Sequence, residues 1–202
     1  MQSCWIFGGA PFCGSISIPD DAYIIAADSG YNTVKKLGIT PDLTLGDFDS
    51  LGKKPECGEI MTVAAEKDDT DTMLAVKTAL ERGYRDISIV GAIGGRLDHT
   101  FANIQTLAYI LRHGGFGRLI GENDTVELLN AGEYCYERRD GMYISLFAYG
   151  ETAALTSRGT KYDLTDHTLD NTFPLGVSNE IISDKCSISV HKGQLLVIFS
   201  KK

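Results

Sequence analysis

The segment LGDFDS (residues 45–50) sets Asp47 and Asp49 two positions apart after an apolar run. On extended backbone, alternate side chains share a face with roots roughly 7 Å apart, so both carboxylates reach the same object. Drawn to about 4 Å they repel by roughly 4 kcal/mol at an effective dielectric of about 20, and a folded site keeps both ionised when a cation lies between them. Three further acidic stations follow the same grammar: Asp28 in AADSG, the cluster Asp68, Asp69 and Asp71 in EKDDTD, and Asp98 in GGRLDH. Each stands where an apolar, strand-like run gives out. No cluster of Cys or His accompanies them, so the donors are hard oxygens that suit Mg2+ better than zinc. Mg2+ enters protein sites through one or two carboxylates together with substrate phosphates and water, which points to a phosphorylated substrate.

The stretch GAIGGRLDH adds glycines whose amides can approach a phosphate and Arg96, whose planar fork matches phosphate oxygens. It is neither the G-x-G-x-x-G dinucleotide fingerprint nor a Walker loop, and the chain contains no G-K-[ST] triplet. His99 could donate to phosphate or shuttle a proton. Every one of these residues also has an ordinary structural reading. Asp28 before Ser-Gly suits a turn or helix cap, Asp68 or Asp69 a cap for the helix that follows, and Asp98 a cap for the next. Their convergence at predicted strand ends favours chemistry, because ligands of open α/β sheets gather there.

The elements that must position these residues fall into two halves. Over the first 120 or so residues, strand-like runs (CWIF, AYIIAAD, DISIVGAIGG) alternate with helical patterns, as in a parallel sheet covered by helices. From Asp69 to Gly83, Met73, Val76 and Leu80 share a helical face. From Asp98 to His113, Phe101, Ile104, Ala108 and Leu111 do so, and Gly114–Gly115 stop the helix. After about residue 124 come short runs, TVELL, MYISLFAY, CSISV and QLLVIF, separated by turn signals such as RDG, YGE, SRG and HKG. CSISV alternates strictly, which buries Cys186, Ile188 and Val190 on one side. The expected fold is an α/β N-terminal domain with a mainly parallel sheet flanked by helices over 1–123, followed by an all-β sandwich over 124–202.

Composition agrees with a globular chain of 202 residues, 43% hydrophobic and 23% charged. A net charge of −8 without a basic stripe excludes a non-specific nucleic-acid binder. No segment approaches the ~20 apolar residues of a membrane span and the start lacks a basic region, so a cytosolic protein is expected. The five cysteines (4, 13, 57, 135 and 186) have neither zinc nor redox spacing and read as reduced, buried small hydrophobes.

In this order the motifs resemble thiamine pyrophosphokinase, also called thiamine diphosphokinase. The resemblance runs from ADSGYNTVKKLGITPDLTLGDFDS through EKDDTDTMLAV, GAIGGRLDHTFANI, GENDTVELL, LTSRGTKYDL and GVSNEI to GQLLVIF, nearly the whole chain. It implies transfer of an intact pyrophosphoryl group from ATP to the hydroxyl of thiamine, giving thiamine diphosphate and AMP. It also implies a homodimer with sites between subunits. The family's metal and phosphate acids carry over to Asp28, Asp47, Asp49, Asp71 and Asp98. Asn32 matches the Asn of its Asp-Gly-Gly-x-Asn pattern, with Ser29 in place of a Gly, and Arg96 matches the Arg before Asp-His. Ser178 and Asn179 fall in the thiamine-facing motif, where Ile181 replaces a frequent aromatic. On this basis Asp47, Asp49 and Asp71 hold Mg2+, Arg96 neutralises phosphate charge, with Asp28, Ser29, Asn32 and His99 around the ATP, and Asp71, Asp98 or Asp49 serves the proton transfer. A net-acidic site also attracts the permanent thiazolium cation of thiamine.

Three other readings compete. A pyrophosphokinase of the same fold could act on another hydroxymethyl heterocycle such as a pterin. DFDSL superficially resembles the haloacid dehalogenase motif, but Leu51 replaces the usual Thr or Val and two strands precede it. A purely regulatory nucleotide binder would not need so costly a cluster of like charges.

Overall fold

A computed structural model describes residues 2–47, 58–63 and 68–202. The chain divides into two compact units, Met1–Glu122 and Asn123–Lys202.

In the first unit, β1 (Ser3–Phe7), β2 (Tyr23–Ala27), β3 (Leu43–Gly46), β4 (Glu59–Thr62), β5 (Asp86–Val90) and β6 (Phe116–Ile120) pair in parallel, in the order β6-β5-β1-β2-β3-β4. Helix α1 (Gly30–Lys36) follows β2, α2 (Asp71–Glu81) joins β4 to β5, and α3 (Leu97–Arg112) joins β5 to β6. A parallel sheet is buried on both faces, which is why its strands read as unbroken apolar runs: Ile6, Phe7, Ile25, Leu43, Leu45, Ile87 and Ile89 are all fully buried. The chain builds outward from β1 to β4 and then returns through α2 to β5 on the other side of β1. That reversal opens a crevice above the carboxyl ends of β1 and β5.

Two helical expectations need correction. Residues 30–36 form a helix that apolar spacing does not announce, because only Gly30 and Val34 of it are buried. The buried face of α3 is Asn103, Thr106, Leu107 and Ile110, whereas Phe101 is 64% exposed. Asn103 and Thr106 can occupy that face because each has a backbone partner: Asn103 Nδ2 donates to the Ala92 carbonyl at 2.7 Å and Thr106 Oγ1 to the Ala102 carbonyl at 3.0 Å.

The second unit contains β7 (Asp124–Leu129), β8 (Gly132–Glu137), β9 (Met142–Arg158), β10 (His167–Asp170), β11 (Gly176–Asn179) and β12 (Lys185–Lys201), and their pairings are antiparallel. The runs CSISV and QLLVIF belong to one 17-residue strand, with HKG inside it as an irregularity in place of the expected turn. The register on β9 shifts between Val190 and Lys192 and again between Gly193 and Gln194. Gly193 makes this possible: at φ 79° a Cβ would stand 2.2 Å from the Thr152 carbonyl oxygen. Strand β8 pairs with the first half of β12 and β7 with the second, while β10 and β11 divide β9 in the same way. The halves meet through Tyr136 of β8, whose ring lies 5.3 Å from that of Phe199 and whose hydroxyl donates to Glu127 Oε2 at 2.7 Å. Cys186, Ile188 and Val190 are buried as their alternation requires.

Cys4 and Cys186 are buried thiols, which burial pushes up to about 12 and about 11 respectively, so both stay protonated and inert. Cys13 and Cys135 are exposed, contrary to expectation, and Cys57 lies outside the described residues. Among the described residues no helix is long and apolar enough to cross a membrane.

Candidate active site

The loops after β1 and β5 are stitched together across the crevice. Gly8 N–H donates to the Val90 carbonyl and Ala10 N–H to the Gly91 carbonyl, both at 2.8 Å. The approach is so close that a Cβ on Gly91, at φ 65°, would lie 2.7 Å from the Ala10 carbonyl oxygen. At the end of β2, Asp28 takes φ 47°, a region that few non-glycine residues enter and that concentrates at functional sites. Its N–H is held by the Leu45 carbonyl of β3 at 2.8 Å.

Two helices start at this edge. Thr70 caps α2, accepting from Met73 N–H at 3.1 Å, so the cap is neither Asp68 nor Asp69. Asp69 instead accepts from Lys77 Nζ at 2.5 Å. The carboxylate of Asp71 then occupies the first helical position, where the dipole favours negative charge. At α3 the N-cap is Arg96, without a side-chain cap bond, and Arg96, His99, Thr100 and Asn103 follow one another along one face at helical spacing.

These segments enclose a cavity of about 400 Å3. Of the residues expected from sequence, Asp28, Ser29, Asp71, Arg96 and His99 line it together. Four others do not. Asp47 follows β3, half-buried, outside the lining; Asn32 is exposed on α1; Asp49 lies outside the described residues. Asp98 lines a separate, shallow hollow with Leu97, Phe101 and Ala102, and its side chain is 65% exposed.

Asp98 and Arg96 are nonetheless coupled. Arg96 donates from Nε to Oδ1 at 3.1 Å and from Nη2 to Oδ2 at 2.6 Å, and His99 N–H donates to Oδ1 at 2.9 Å. The Arg96 guanidinium, and after it the His99 amide, holds the Asp98 carboxyl below the usual carboxylate range. A carboxylate so engaged is a weak base; its evident work is to brace the arginine.

The cavity offers carboxylates from Asp28 and Asp71 with hydroxyl and amide oxygens from Thr70, Thr72, Thr100 and Asn103 nearby, an all-oxygen donor set that fits Mg2+. Among the described residues no three of His, Cys, Asp or Glu gather closely enough to hold an ion by themselves. A metal completed by substrate phosphates and water needs no such triad.

In the second unit, Ser178 and Asn179 end β11. Ser178 is exposed at φ 57°, its N–H given to Ser145 Oγ at 3.0 Å. Asn179 is only 6% exposed, and its side chain is bound to backbone: Oδ1 accepts from Tyr162 N–H and Glu180 N–H, and Nδ2 donates to the Tyr162 carbonyl.

Sequence reasoning missed Gly9, Ala10, Pro11, Thr70, Thr72, Thr100 and Asn103, all of which line the cavity. The Gly-Gly pair directly after the first apolar run was the legible signal for the β1 loop; a strand ending in paired glycines lets backbone approach a ligand. Asn103 gave a different signal, a polar residue seven positions after Arg96 on the same helical face.

Two family models match the chain: the thiamin pyrophosphokinase catalytic domain over residues 17–115 and the thiamin pyrophosphokinase vitamin B1 binding domain over residues 134–195. A thiamine pyrophosphokinase of Bacillus subtilis is 34% identical over 184 residues, 87% of this chain and 86% of that one. The crystal structure of a thiamine pyrophosphokinase from Bacillus subtilis superposes with a TM-score of 0.91 at 30% identity, covering all of both chains. That of a thiamin pyrophosphokinase family protein from Enterococcus faecalis gives 0.86 at 30%, again over both full chains. With two domain models matched in order and a relative aligned over most of both lengths, the chain belongs to the thiamin pyrophosphokinase family.

Proposed function

We propose that the chain catalyses pyrophosphoryl transfer from ATP to thiamine, giving thiamine diphosphate and AMP, with ATP bound by the first unit and thiamine by the second, read as a β-sandwich. The observation that carries this is the gathering of Asp28, Ser29, Asp71, Arg96 and His99 around one cavity at the carboxyl ends of parallel strands. The match of residues 134–195 to a vitamin B1 binding model favours thiamine over a pterin or other heterocycle as acceptor.

The thiamine hydroxyl oxygen forms a bond to the β-phosphorus while the bridge to the α-phosphate breaks, and AMP leaves with the bridging oxygen. The protein's tasks are to align these atoms and to stabilise the charge that builds on the phosphates. Arg96, braced by Asp98, presents its remaining guanidinium donors to phosphate oxygens, and the amides of the Gly91–Gly95 loop and the α2 start add partial positive charge. The resemblance assigns Mg2+ to Asp47, Asp49 and Asp71, and of these Asp71 lines the cavity, with Asp28 as the second carboxylate there; Mg2+, when bound, would neutralise phosphate charge. Asp71, inside the cavity, is better placed than Asp98 to take the hydroxyl proton, since one carboxylate oxygen can serve an ion and the other the proton. His99 and Ser29 donate to what remains of the phosphate chain.

A homodimer is implied by the resemblance; the exposed Leu97 and Phe101 of α3 support a partner surface, and sedimentation of the purified protein measures it. The reaction itself is tested by mixing the protein with ATP, Mg2+ and thiamine. AMP and thiamine diphosphate appear in equal amounts; release of ADP or free phosphate without thiamine diphosphate overturns the assignment.

A further inference from the structure

Arg96 and Asn103 line the same cavity from one face of α3, about two turns apart, which sets Asn103 about 10 Å further along the helix. Around Arg96 the cavity is charged, with Asp28 and Asp71 in its wall, and a polyphosphate with its cation belongs there. Around Asn103 it is neutral. Asn103 is tied to Ala92, and Ala92 follows Gly91, whose carbonyl accepts from Ala10 N–H at 2.8 Å. A Cβ on Gly95 would stand 3.2 Å from the Ala10 Cβ, so the two loops close on each other here. The wall they make consists of small apolar side chains and backbone, a surface for a flat, uncharged group.

Asn103 is the polar group set into that wall, and it is only 6% exposed. Its amide orientation is fixed, because the Ala92 carbonyl can only accept and so faces Nδ2, at 2.7 Å. Oδ1 is left over. Among the described residues it has no hydrogen-bond donor, and it is not sealed off by protein, so it stays open to the cavity. A buried amide with its acceptor unused is costly, and a donor that arrives with the ligand removes the cost. The neighbouring hydroxyl does not compete, since Thr100 Oγ1 spends its proton on the Arg96 carbonyl at 3.1 Å.

We propose that Asn103 selects the base of the donor nucleotide: Oδ1 accepts from the exocyclic amine at position 6 of adenine and repels the oxygen that guanine and hypoxanthine carry at the same place. Asn103 is thereby a specificity-determining residue, distinct from Arg96, which answers to phosphate alone. This role rests on the pyrophosphoryl transfer proposed above, with the phosphates at the Arg96 end of the cavity and the base at the Asn103 end.

The experiment measures kcat/KM for ATP, inosine triphosphate and purine riboside triphosphate at saturating thiamine, on the wild-type protein and on Asn103→Ala and Asn103→Leu. In wild type, inosine triphosphate is about 30- to 100-fold poorer than ATP, and purine riboside triphosphate, which has neither group at position 6, falls between them. In both variants the value for ATP drops much further than that for inosine triphosphate, so the ratio shrinks to about threefold or less. A wild-type ratio already that small overturns the proposal. So does a variant in which both nucleotides fall together, the pattern of a residue that only shapes the Gly91–Gly95 loop or meets the ribose. If both variants melt before assay, the wild-type series decides: the order ATP, purine riboside triphosphate, inosine triphosphate supports an acceptor at position 6, and any other order overturns it. Thiamine diphosphate made from inosine triphosphate as readily as from ATP sinks the selection but leaves the transfer standing. Absence of thiamine diphosphate with all three nucleotides overturns the proposed function instead.

Discussion

Helices α2 and α3 both begin at the edge where the parallel strands end, and both carry an aspartate in the first turn, yet the two acids do different work. Asp71 stands at the first helical position and faces the cavity. Asp98 stands at the second and faces away, into a shallow hollow beside Leu97 and Phe101. One position along a helix turns a side chain by about 100°, enough to carry a carboxylate from one side of the helix start to another. At α3 the place that faces the cavity is filled by Arg96, so the same edge presents an acid from one helix and a base from the next. An anionic substrate with a cation attached calls for that alternation.

Breaking the contrast at its stronger end gives the largest expected effect. Asp71→Asn keeps size and helix propensity but removes the charge, and turnover falls on the order of 10^3-fold with the thermal transition in place. Stopped assays of thiamine diphosphate beside a circular dichroism melt check both halves of the statement. A variant that turns over within tenfold of wild type would falsify the central place given to α2. Next in size is Arg96→Ala, expected to lower kcat/KM for ATP about 10^2-fold. Arg96→Lys recovers only part, because a point charge cannot reproduce the fork that Asp98 now holds.

Asn103 sharpens the comparison from within α3, since it is a buried residue of the cavity lining. Its amide is the partner of the buried Ala92 carbonyl. Asn103→Ala leaves that carbonyl without its donor and costs about 1–3 kcal/mol, seen as a fall of several degrees in Tm. Unchanged Tm would mean that the Gly91–Gly95 loop does not depend on the helix for its shape.

How far all this could be read from sequence follows the same physics. Strand ends were legible because glycine and aspartate interrupt apolar runs there, and Asp28, Asp71 and Arg96 were found on that signal alone. Which face of α3 points inward was not legible. Apolar spacing chose Phe101, Ile104, Ala108 and Leu111, but the buried face includes Asn103 and Thr106, whose polarity is offset by bonds to Ala92 and Ala102 that no pattern displays. The irregularity at His191–Gly193 was legible as a glycine signal and misread as a turn, since a strand that bends through an irregularity and a hairpin use the same residue for the same positive φ. Asn179 was found as a site residue by resemblance, while its actual bonds, to Tyr162 and Glu180, depend on a pairing across 17 positions.

The weaker end of the contrast is Asp98, and it carries the smallest prediction. Asp98→Asn removes the brace from Arg96 without touching the cavity, so the loss is a few-fold, confined to the KM for ATP, because an exposed ion pair contributes little. Its pH signature separates it from Asp71. The folded protein holds the Asp98 carboxyl below its ordinary value through Arg96 and the His99 amide, so deprotonated Asp98 adds stability above the unfolded value. That contribution is fully present at neutral pH and fades as pH falls below the ordinary value of 3.8 toward the lower folded one. Thermal melts of wild type and Asp98→Asn therefore differ slightly at pH 7 and converge in acid. A gap that widens on acidification, or a loss of turnover equal to that of Asp71→Asn, would place Asp98 among the reacting groups and erase the distinction between the two helix starts.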